Sequence, residues 1–144
     1  MKNVLALALV AFALTACGPA TPPAAKGTPS PKGAKVFFIE PKNGAEVTSP
    51  VTVKFGIEGM DVVAAGTDKP NSGHHHVLID TKLAETFEGP IPMDDNHKHF
   101  GKGQTEATLE LKPGKHTLQM VLGDANHAPH SPPVVSEVIM VTVK

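Results

Sequence analysis

The sequence predicts an all-β domain over residues 35–144, an antiparallel β-sandwich of the immunoglobulin or fibronectin kind, preceded by a signal peptide at 1–16 and a disordered linker at 17–34. Three observations carry this. Apolar residues recur at every second position in short runs, Pro and Gly turns separate the runs, and no stretch of the domain has a helical period. Roughly 110 residues suit one domain with one modest core.

The strands follow in order. KVFFIE at 35–40 reads as the first, and PKNGAEVTSP after it is rich in turn residues. Val51, Val53, Phe55 and Ile57 then alternate with Thr52, Lys54 and Gly56, the period of a half-buried strand. HHHVLID, introduced by Asn71-Ser72-Gly73, is the next, and TEATLEL at 105–111 puts Ala107, Leu109 and Leu111 on one side. Beyond the Pro113-Gly114 turn, Leu118, Met120 and Leu122 share a face. SEVIMVTVK ends the chain with Ile139, Val141 and Val143 together. The stretch LKPGKHTLQMVLGD resembles the corner before the penultimate strand of such sandwiches, with His116 where an inward Tyr is usual. His116 is therefore expected to be structural, buried at the corner and bonded to a carbonyl there.

The chain has eight histidines, all between residues 74 and 130, and neither Trp, Tyr nor Arg. Lacking Arg forks and basic patches, it offers little to nucleic acid or phosphate, and no nucleic-acid partner is expected. With Cys17 its only cysteine, the domain has no thiol for disulfides or thiolate metal sites. Imidazole is what remains. On a strand His74 and His76 share one face, about 6.6 Å apart, and His75 takes the other. Val77 and Ile79 are expected in the core, which sends His75 inward as a structural residue and His74, His76 and Asp80 outward. His97 and His99 lie in the loop MDDNHKHFGKG, and His127 and His130 in DANHAPHSPP. If the strand of the triple histidine pairs antiparallel with the one at 116–122, all three pairs meet at one rim. His74, His76, His97, His99, His127 and His130 are thus expected to surround a transition metal, Cu or Zn, with Met60, Met93, Asp94, Asp95 and Asp124 as candidate supplements. Since only neutral imidazole ligates, affinity is expected to weaken below about pH 6.5.

MKNVLALALVAFALTAC has a positive start, a short apolar run and small residues before Cys17, the layout of a secretory signal peptide. Leu14-Thr15-Ala16-Cys17 resembles the lipobox of bacterial lipoproteins, which implies cleavage before Cys17 and lipid on its thiol. Gly18, where an inner-membrane protein of that kind carries Asp, points to the outer membrane facing the periplasm. GPATPPAAKGTPSPKGA at 18–34, with five prolines, has nothing to bury and is expected to be a tether.

The runs NSGHHHVLID, HFGKGQTEATLELKPGKHTLQMVLGDANHAPH and SEVIMVTV are similar to the bacterial family catalogued as domain of unknown function 4399, over most of residues 36–144. That resemblance implies an exported domain and brings no established activity. No HExxH and no serine in a nucleophile elbow is present, so an enzyme is not expected. The expected function is metal handling in the cell envelope by a membrane-anchored lipoprotein. A metal-dependent envelope enzyme and an immunoglobulin-like interaction module without metal are the alternatives.

Overall fold

The structure, a computed structural model, describes residues 27–144. The signal peptide at 1–16, Cys17 and the first part of the linker lie outside the described residues. Nine strands form: β1 (Lys35–Glu40), β2 (Ala45–Val47), β3 (Val51–Glu58), β4 (Asp61–Val62), β5 (Ser72–Ile79), β6 (His97–Phe100), β7 (Glu106–Leu109), β8 (Gly114–Gly123) and β9 (Ile139–Val143). They make two sheets. The smaller has the order β1-β3-β7, the larger β2-β9-β8-β5, and β5 uses its far edge twice: β4 pairs with its start and β6 with its end.

The chain is all-β, and the predicted alternation sets the core. Val51, Val53 and Phe55 of β3 face Leu118, Met120 and Leu122 of β8 and Val141 and Val143 of β9, all buried between the sheets. Burying three side chains of this size is worth about 1.5–3 kcal/mol each, which is what holds β8 in the centre of the larger sheet. The expected pairing of the histidine strand is also present: β5 runs antiparallel to β8, with His74 opposite Gly123 and His76 opposite Val121.

The second face of β5 departs from expectation. His74 and His76 do not face solvent; both are buried, as is every residue of β5. The connections 80–96 and 124–138 fold back over this face. Ile91 N–H donates to His127 O (2.8 Å), and Leu122 N–H donates to Val134 O (2.9 Å). Under them Leu78, Val121 and Ile91 form a second, smaller core with Leu83, Phe87 and Val135. A strand read as amphipathic is thus sandwiched on both sides, which periodicity alone does not reveal.

Two further readings are corrected. Residues 97–100 are not loop but β6, with His99 opposite His76 and His97 opposite Leu78. The tether does not extend to residue 34. Thr28 and Ser30 are fastened along Ser131, with Ser131 N–H donating to Thr28 O (2.9 Å) and Ser30 N–H donating to Ser131 O (3.2 Å). Backbone pairing with a loop fastens Thr28 and Ser30, and Ala34 at the end of the stretch packs against the main core.

Candidate metal centre

Three elements aim imidazoles at one point. β5 supplies His74 and His76, β6 supplies His99 through its register with His76, and the turn after β8 supplies His127. Ring centroids of His74 lie 4.9 Å from those of His76, His99 and His127; His99 lies 5.0 Å from His76 and 4.9 Å from His127. His76 and His127 are the widest pair at 6.1 Å. Among the described residues, ligand nitrogens of His74, His99 and His127 all fall within 4.8 Å of one another. The Nε2 atoms of His74 and His76 are 3.0 Å apart. Two nitrogens on one ion stand roughly 3.3 Å apart in a tetrahedron and roughly 2.8 Å apart in a square plane, given bonds of about 2.0 Å. The observed spacing falls between them.

The sequence makes room for these rings. A Cβ at Gly123 would lie 2.8 Å from His76 Nε2 and 3.4 Å from His74 Nε2. A Cβ at Gly101 would lie 2.3 Å from His99 Cε1 and 2.6 Å from its Nε2. Backbone must approach imidazole closely at both places, and only glycine allows it.

Burial and mutual repulsion disfavour protonation of His74, His76 and His99. Burial, then repulsion from His127 and His99, lowers His74 from 6.5 to about 4. Burial, then His74, His99 and His127, brings His76 to about 3. His99 is lowered by burial and by His127. Lone pairs of His74, His76 and His99 are therefore available below pH 6.5, and the loss of affinity that their protonation causes moves to more acidic values. His99 Nε2 is buried without a hydrogen-bond partner, as is His76 Nδ1. An unpartnered imidazole nitrogen inside a group of four is an atom a cation would satisfy.

The other predicted ligands stand apart. His97 stands two residues before His99 at the start of β6, opposite Leu78, and pairs through Nδ1 with Asp94 Oδ1 (2.8 Å). His130 is buried with its Nδ1 engaged by Thr28 Oγ1 (2.9 Å); its Nε2 also lacks a hydrogen-bond partner, but it stands outside the group of His74, His99 and His127 and lies against Gly73. The Thr28 segment that captures His130 was read as free tether, so nothing in the sequence separated His130 from His127. Of the supplements, Met60 is in the main core, Met93 is exposed, Asp94 is held by His97 and Asp95 by Lys98.

The two structural histidines behave differently from each other. His75 faces the main core as expected, tilted against Phe55 with ring centroids 4.8 Å apart, yet neither ring nitrogen has a partner. Burial lowers it to about 4. His116 bonds the corner carbonyl of Lys112 through Nε2 (2.8 Å), as predicted, but it is half-buried and its Nδ1 pairs with Asp80 Oδ2 (2.7 Å). That carboxylate was not anticipated, and it raises the His116 pKa.

A two-sheet β domain with four histidines gathered under its loops is a class defined by site rather than by known activity. The chain belongs to the family described as domain of unknown function DUF4399, which matches residues 53–144 and so takes in all four imidazoles. No curated protein and no solved structure matches the chain significantly.

Proposed function

We propose that this protein is an exported lipoprotein that binds a transition metal, Cu or Zn, through His74, His76, His99 and His127, for metal handling in the cell envelope. The carrying observation is that nitrogens of His74, His99 and His127 lie within 4.8 Å of one another, with His76 beside them. A thiol-free, imidazole-only donor set suits Zn and Cu(II) over Mg or Ca. Four nitrogens leave no ligand position for a reacting water, which favours holding or passing on an ion over catalysis. The two facing sheets suit a sandwich of the immunoglobulin kind, with the site built on β5, β6 and the turn after β8.

Export, lipid on Cys17 and residence at the outer membrane facing the periplasm are supported by the sequence at 1–18. Anchoring with two or more acyl chains is stable where a single chain is marginal. No helix among the described residues is long and apolar enough to cross a membrane.

Calorimetric titration with Cu(II) and Zn(II) tests the metal reading. The wild-type chain and His97→Ala are expected to bind alike, and His74→Ala is expected to lose binding. Equal affinity in all three proteins would overturn it.

A further inference from the structure

Asp124 is a carboxylate at 2% exposure, and among the described residues no lysine pairs with it. Its partners are backbone donors. Oδ1 accepts from Asn126 N–H (2.8 Å) and Ala128 N–H (3.0 Å), and Oδ2 accepts from Thr28 N–H (3.0 Å). These bonds bracket His127, whose own N–H donates to Asp124 O (2.9 Å). His127 has φ +64, a backbone conformation that a non-glycine residue holds only when its surroundings impose it.

We infer that Asp124 is the counter-charge of the metal centre and the residue that positions His127. The inference rests on the metal reading above and deepens it. Both carboxylate oxygens are occupied, so Asp124 acts on the ion through space and through the turn, not as a ligand. Four imidazoles are neutral donors, so an ion among them keeps its full charge in a desolvated place. A charge so buried is tolerated only with an opposite charge near it. Asp124 follows Gly123, the partner of His74 across the sheet, where a Cβ would lie 3.4 Å from His74 Nε2 and 2.8 Å from His76 Nε2. The carboxylate is therefore carried by the residue next to the backbone that lies against these rings. The third donor, Thr28, lies on the strap that enters from the N-terminal side, so the same carboxylate ties that strap to the site.

The test compares Zn(II) and Cu(I) affinities of the full chain, by chelator competition, in wild type, Asp124→Asn, Asp124→Ala and His74→Ala. Asn keeps an oxygen for the Asn126 and Ala128 N–H groups but removes the charge. Zn(II) affinity is expected to fall about 10- to 100-fold in Asp124→Asn. Because Coulomb energy is linear in ionic charge, the logarithm of that loss should be about twice the one for Cu(I). Asp124→Ala should lose more, since the turn is released as well. Partial unfolding would weaken both ions equally, so the ratio separates charge from structure. Equal logarithmic losses overturn the counter-charge, and so does wild-type Zn(II) affinity in Asp124→Asn where His74→Ala has lost binding. If His74→Ala binds as tightly as wild type, the metal reading falls and takes this inference with it.

Discussion

His75 gives the sharpest energetic prediction of the fold. Its ring is fully buried against Phe55, and both nitrogens lack partners. A neutral imidazole has one N–H and one lone pair, and leaving a buried polar group unsatisfied costs about 1–3 kcal/mol. Replacing it by Leu, of similar volume, removes that cost, so His75→Leu should raise stability by about 1–3 kcal/mol at pH 7.5. Acid adds a second contribution. The folded ring titrates at about 4 and the unfolded one at 6.5. A depressed folded pKa means that the unfolded chain takes up a proton the folded chain refuses. Stability is therefore lost as pH falls below 6.5, and the loss levels off near 4. At pH 5 this amounts to about 2 kcal/mol, and it is absent from the variant. His74 and His76 titrate in both proteins, and since repulsion from His75 is the smallest cause of their shifts, most of their contribution cancels in the difference. Urea unfolding of the metal-free chains at pH 7.5 and pH 5 measures it. A less stable His75→Leu at pH 7.5, or a gap that does not widen at pH 5, would refute the burial argument.

Three other perturbations separate parts of the account. Gly101→Ala puts a methyl where the His99 ring stands, so that ring should swing out, with metal affinity falling by more than the roughly 10- to 100-fold that a supporting contact is worth; titration of the variant checks this. Asp80→Asn keeps the bond from Thr117 N–H and tolerates the φ of +56, but it removes the charge beside His116. The raised His116 pKa gives stability that is present below 6.5 and lost as pH rises through the folded value. The lowered Asp80 pKa gives stability that is present above 3.8 and lost as pH falls through its own. The variant should therefore lose more stability at pH 5.5 than at pH 8.5, read from denaturant midpoints. Cys17→Ser should release the protein from membranes or leave its precursor uncut, as fractionation and intact mass would show.

Much of the fold was legible because alternation records burial. Leu118, Met120 and Leu122 share parity and share the core, and Val77 and Ile79 correctly sent His75 inward. The antiparallel partnership of β5 and β8 followed from the order of strands, and it correctly brought His127 to the end where His74 and His76 lie. What stayed hidden depended on segments without a period. β6 is four residues long, three of them polar or basic, so nothing marked it as a strand. Its register with β5 nevertheless decides that His99 joins His76 while His97 does not. Burial of His74 and His76 comes from the two connections that cover them, and neither has an alternation to read. His130 was lost to Thr28, 102 residues away, a contact that composition assigned to a free tether.

The central claim is that four neutral imidazoles on β5, β6 and the turn after β8 hold a transition metal. The most direct measurement is the metal content of the untagged protein isolated from its native cells, read by elemental mass spectrometry beside His74→Ala prepared identically. The account predicts copper or zinc near one equivalent in the wild type and a small fraction of that in the variant. Metal-free wild-type protein that also fails to take up either ion on titration, or a variant that carries as much as wild type, would contradict it.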